Sequence, residues 1–71
     1  DVYKRQIKDN LIDSFKIEGD FFSNKDISEF CDMFVGKAMT IDGFHNVLND
    51  VNIGEYIVGM DEKVFLGDIF D

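Results

Sequence analysis

The chain has one cysteine, one histidine and no proline, and each scarcity excludes a class of structure or site. With Cys31 alone, no disulfide can form within the chain, which is typical of a reducing compartment such as the cytoplasm. Cys31 and His45 together supply two ligands at most, whereas zinc needs three or four, so no zinc site within the chain is expected. The lack of proline, repeats and low-complexity tracts indicates one small domain without a linker.

Long apolar stretches and basic residues are also scarce. No apolar stretch approaches the roughly 18 residues that a membrane-spanning helix needs. Seven Lys and Arg stand against fifteen Asp and Glu, which gives a net charge of −8. Such a surface repels phosphate backbones and anionic lipid headgroups, so we expect neither nucleic acid nor a membrane as a partner. Hydrophobic residues make up 45% of the chain and include eight Phe, which favours a folded domain over a disordered one.

Residues 1–6 match the in-frame translation of a transposase adapter used in sequencing libraries. We therefore predict that residues 1–6 are an artefact, that residues 7–71 form a single small domain, and that the chain is a fragment of a longer protein of metagenomic origin. Without Asp1, Lys4 and Arg5, five basic and fourteen acidic residues remain, and the net charge becomes −9. The domain itself is then more acidic than the chain as a whole.

Apolar residues recur at helical spacing over the first two thirds of the chain and predict three amphipathic helices. We place them at residues 7–16, 25–34 and 40–50, with Ser23 and Thr40 as the caps of the second and third. Their predicted apolar faces comprise Ile7, Leu11, Ile12, Phe15, Ile27, Phe30, Cys31, Phe34, Phe44, Val47, Leu48 and Val51.

After Gly54 the apolar residues alternate instead. Residues 56–58 and 64–66 are rich in β-branched and aromatic side chains and are separated by a polar loop, which predicts a β-hairpin. The predicted fold class is therefore α+β, with three amphipathic helices followed by a β-hairpin. This order resembles the topology of a winged helix-turn-helix domain, in which residues 40–50 would be the recognition helix and the hairpin the wing. The resemblance is one of topology alone, without a supporting motif.

Acidic side chains occupy the proposed recognition helix and wing, where a DNA-binding domain carries basic ones. We therefore expect these surfaces to contact protein. An exposed aromatic side chain between the first two helices would provide a further contact. The candidate interaction surface comprises Phe22, Asp42, His45, Asp50, Met60, Asp61 and Glu62.

Motifs for catalysis or cofactor binding are not found. Asp20, Asn24 and Ser28 fall at ligand positions of a calcium-binding EF-hand loop. However, Phe22 and Cys31 stand where oxygen ligands are required, so calcium binding is not predicted. Cys31 lies on an apolar face and has no partner arrangement that would make it a nucleophile. We assign no catalytic residue, metal or cofactor, and we expect the protein not to be an enzyme.

Three hypotheses about function follow from these observations. The first is a non-catalytic acidic domain that acts through protein contacts. The second is an acidic inhibitor that imitates nucleic acid towards a basic protein, as the net charge suggests. The third is a degenerate winged-helix domain whose nucleic-acid-binding residues lie in a missing N-terminal segment. A cytoplasmic location is expected in each case, and the oligomeric state is left open.

Overall fold

The strands precede the helices in the computed structural model, which describes residues 3–19 and 25–70. Phe22, Ser23 and the other residues of the stretch between those ranges lie outside the described part. The elements are β1 (Tyr3–Lys8), β2 (Leu11–Ile17), α1 (Ile27–Asp32), α2 (Ile41–Leu48), a short 3₁₀ helix (Ile53–Glu55) and α3 (Glu62–Phe70). The predicted order of three helices and then a hairpin is therefore wrong, and the winged-helix topology is wrong with it.

A tight turn explains why residues 7–16 form a hairpin and not the predicted helix. β1 and β2 pair antiparallel, and the two residues between them, Asp9 and Asn10, have φ angles of 54° and 66°. Asp and Asn adopt this left-handed conformation more readily than most residues, and two such residues in succession connect strands in a tight hairpin. The Asp-Asn pair is the local signal that the apolar spacing concealed.

A β-bulge produces that misleading apolar spacing. Gln6 pairs with Ser14 and Ile7 pairs with Ile12, so Asp13 is an extra residue on β2. The extra residue shifts the in–out alternation of the strand by one position. Ile12 and Phe15 are therefore both buried although they are three positions apart, a spacing typical of a helix.

The chain after α1 packs along the second edge of the hairpin. The Gly36 N–H donates to the Ile12 carbonyl, and the Ile12 N–H donates to the Lys37 carbonyl, both at 2.8 Å. Leu11 and Ala38 form an isolated antiparallel bridge next to these bonds. The start of β2, at Leu11 and Ile12, thus has backbone partners on both sides.

The helix starts are set by local capping. Thr40 caps α2 as predicted, because its hydroxyl accepts a hydrogen bond from the Gly43 N–H at 3.0 Å. The cap of α1 is Asp26, whose carboxylate accepts from the Ser28 N–H at 2.9 Å. Both helices are shorter than predicted, since residues 33–36 and 49–50 form turns.

Residues 61–70 form a capped helix in place of the second predicted strand. The Val64 N–H donates to the Asp61 carboxylate at 2.9 Å, which satisfies a free donor in the first turn of α3. Phe65 and Ile69 are one helical turn apart and both are buried. The short alternation at residues 64–66 did not reveal this longer repeat, which continues into the last residues of α3.

Phenylalanine rings form the centre of the core between the hairpin and the helices. Phe30, Phe34, Phe44 and Phe65 have no exposed surface, and Phe15 contacts three of them with centroid distances of 5.2 to 6.4 Å. The buried hydrophobic residues of the described chain are Ile12, Phe15, Ile17, Phe30, Cys31, Phe34, Phe44, Leu48, Ile53, Tyr56, Ile57, Phe65 and Ile69.

Two expected core residues are on the surface. Ile7 is 49% exposed and Leu11 is 45% exposed, because the predicted helix that would have buried them does not exist. Ile27 and Val51 are partly buried and pack against the core from its edge. Among the helices of the described residues, none has both the length and the apolar character needed to cross a membrane.

Candidate functional site

Two residues of the predicted interaction surface meet at the junction of α2 and α3. His45 lies on α2 and Glu62 is the first residue of α3. The distance from His45 Nδ1 to Glu62 Oε2 is 2.7 Å, and both side chains remain more than one third exposed. This contact joins two helices across 17 positions of sequence. We call His45, Glu62 and the neighbouring Asp42 of α2 the α2–α3 surface.

Two acids of the predicted surface stabilise helix starts. Asp61 caps α3 through its carboxylate. The prediction that Asp61 lies in the loop of a C-terminal hairpin is wrong. Asp42 lies in the first turn of α2, where the positive end of the helix dipole favours a carboxylate. Helix stability therefore accounts for the position of both acids.

Met60 and Asp50 take no part in the His45–Glu62 contact. Met60 is partly buried and packs against the core, so most of its side chain is not available to a partner. Asp50 follows the end of α2 and lines a shallow concavity of about 400 Å³ with Met33, Lys37, Asn46 and Val47. Phe22 lies outside the described residues.

An apolar groove between β2 and α1 contains the chain's cysteine. The groove has a volume of about 270 Å³ and is lined by Phe15, Lys16, Ile17, Glu18, Ile27, Ser28, Cys31 and Asp32. Burial raises the pKa of the Cys31 thiol, and a backbone hydrogen bond involving Ile17 opposes that increase only in part. Because the thiolate is the reactive form, this environment disfavours Cys31 as a nucleophile.

An ion pair connects the start of α1 to the 3₁₀ helix. Lys25 Nζ lies 3.2 Å from Glu55 Oε2 and 5.5 Å from the centroid of the Tyr56 ring. The pKa of Lys25 is raised mainly by its hydrogen bond to Glu55 and, to a smaller degree, by the negative charge of that carboxylate. Sequence patterns did not reveal this contact, since 30 positions separate the two charges and no local signal links them.

Hydrogen bonds at the start of α1 also change the ionisation of Asp26. The Ser28 hydroxyl and the Ser28 N–H both donate to the Asp26 carboxylate, at 2.7 and 2.9 Å. These bonds stabilise the charged form and lower the pKa of Asp26. The lowered pKa of Asp26 is therefore explained by its role as the exposed cap of α1.

The arrangement of these groups limits the chemistry available within the described part of the chain. Residues 3–19 and 25–70 contain no group of three His, Cys, Asp or Glu side chains that could hold a metal ion. His45 contacts Glu62 between two helices, whereas Cys31 lines the groove beside β2. The histidine and the cysteine thus take part in different contacts and do not form a nucleophile–base pair.

The fold and these contacts define a small domain with a phenylalanine core, led by a hairpin and completed by short helices. The chain belongs to the family described as the bacterial lipoate protein ligase C-terminus, whose family model matches residues 3–69. No curated protein matches the chain.

Membership of this family corrects the functional expectations drawn from sequence. The family model describes the C-terminus of a ligase, so the predicted function as a non-catalytic acidic domain that acts through protein contacts is corrected to that of a ligase-associated domain. The acidic inhibitor and the degenerate winged helix are wrong. We expected the protein not to be an enzyme. The family match corrects this expectation, because it relates the chain to the C-terminal part of a ligase. The acidic composition on which those hypotheses depended describes the surface and carries no information about the enzyme.

Proposed function

We propose that this chain is the C-terminal domain of an enzyme that joins lipoate to protein, and that it supports that activity within the larger ligase. The observation that carries the proposal is the family match across residues 3–69, which covers both strands and nearly all of α3. The match therefore concerns the whole folded unit and not one short motif.

We further propose that the reacting groups of the ligase lie outside this domain. A ligation to protein requires an acid, a base or a nucleophile in a suitable position and protonation state. The buried thiol of Cys31 has a raised pKa, and the exposed His45 is engaged by Glu62. The raised pKa disfavours the reactive thiolate of Cys31, and the His45–Glu62 contact is exposed to solvent, which supports a location of the chemistry elsewhere in the enzyme.

The protein partner that we propose is the rest of the ligase chain. Support comes from the family description, which names the C-terminus of a ligase. The α2–α3 surface is our candidate for that contact, because Asp42, His45 and Glu62 retain exposed side chains and the His45–Glu62 contact holds two helices in a defined arrangement. A cytoplasmic location also remains a proposal, consistent with the single buried thiol.

Deletion of the domain from the complete enzyme tests the proposal. The full open reading frame and a version that lacks residues 3–71 would be expressed, and transfer of lipoate to an acceptor protein would be measured with a nucleoside triphosphate as the energy source. We expect the truncated enzyme to lose most of its turnover. Full activity without residues 3–71 would show that the domain does not support the ligation.

Two variants in the complete enzyme distinguish a folded domain from a mere extension of the chain. Phe65→Ala removes a fully buried ring and is expected to reduce transfer as much as the deletion does. Val64→Ala, at a half-exposed position on the same helix, is the matched control and is expected to leave transfer unchanged. Equal activity of both variants would contradict a requirement for the folded domain.

The isolated domain tests where the reacting groups lie. After circular dichroism has shown that residues 3–71 are folded, the domain alone would be incubated with lipoate, the acceptor protein and a nucleoside triphosphate. We expect no transfer. Transfer by the domain alone would contradict the proposal that the reacting groups lie outside it. The family membership would not be affected.

We also propose that residues 1–6 derive from a sequencing adapter. In the structure, Lys4, Arg5 and Gln6 are exposed and pair through their backbone in β1, which tolerates many sequences, and Lys4 forms an exposed ion pair with Glu18 at 3.1 Å. Tyr3 makes a more specific contact, with its ring 5.6 Å from that of Phe65. Resequencing of the native locus tests this origin, and we expect different codons before Ile7 with an apolar residue at the position of Tyr3. Native codons identical to the adapter would refute the proposal.

A further inference from the structure

We draw no further inference here: the strongest candidate, the concavity at the tip of the hairpin where Leu11 and Val35 remain exposed, carries nothing because the described residues do not show what covers it.

Discussion

Truncation of Phe65 provides the most direct test of the fold. The sequence pattern placed this residue in a strand of a C-terminal hairpin, whereas the structure places it on the buried face of α3. Its ring has no exposed surface and contacts the rings of Phe15, Phe30 and Phe44 at centroid distances of 5.6 to 6.4 Å. Phe65→Ala therefore removes a ring through which α3 contacts both the hairpin and the other helices.

The expected loss of stability is comparable with the total stability of the domain. Truncation of a fully buried Phe to Ala costs about 3 to 5 kcal/mol, through lost burial and the cavity that remains. A chain of this size rarely gains more than about 3 to 5 kcal/mol from its core. We therefore expect Phe65→Ala to be largely unfolded at 25 °C. Phe65→Leu keeps part of the volume and is expected to cost about 1 to 2 kcal/mol, which leaves a measurable transition.

Val64 provides a control on the same helix. It is 50% exposed, so Val64→Ala loses only part of the burial of its two methyl groups and gains helix propensity. We expect its free energy of unfolding to remain within about 0.5 kcal/mol of the parent chain. Circular dichroism during a urea titration would follow the unfolding of all variants. A Phe65→Ala protein as stable as Val64→Ala would refute the position of α3 in the core.

Three further substitutions test local features of the fold. Gly43→Ala is expected to cost about 1 to 3 kcal/mol although Ala favours helices, because the new Cβ would overlap the Ala38 carbonyl oxygen; an unchanged or higher melting temperature would contradict this close approach. Thr40→Ala is expected to cost about 0.5 to 2 kcal/mol through loss of the α2 cap, whereas Thr40→Ser keeps the hydroxyl; equal melting temperatures of the two variants would exclude the cap. The pKa of Asp26 is lowered by its hydrogen bonds with Ser28, so its contribution to stability is present above about pH 4 and is lost as the pH falls further. Between pH 5 and pH 3 we expect Asp26→Asn to show a smaller fall in melting temperature than the parent chain, and identical falls would contradict that linkage.

The sequence determined the features that depend on neighbouring residues. The cap at Thr40 follows from a hydroxyl three positions before the Gly43 N–H, and sequence alone located it. The same holds for much of the core, since Phe15, Phe30, Phe34 and Phe44 are buried as expected. A large apolar ring gains from burial in a strand or a helix alike, so its burial was predictable even where its secondary structure was not.

The candidate site was only partly predictable from the sequence. Charge and spacing correctly indicated that Asp42 and His45 share one helix, α2. They did not indicate the contact between His45 and Glu62, because it depends on how α3 packs against α2 across 17 positions. The family match, and not the acidic composition, then identified the enzyme context.

Only the tertiary structure decided the identity of the first and last elements. A bulge at Asp13 gives β2 an apolar spacing like that of a helix, and the short alternation at residues 64–66 resembles a strand although the full repeat of α3 is helical. Short apolar segments have little intrinsic preference, so their packing partners select between the two structures. The sequence by itself specified which side chains avoid water and where α2 begins. The pairing of the hairpin and the packing of α3 against the shared phenylalanine core decided the topology, because those contacts join residues that are far apart in the chain.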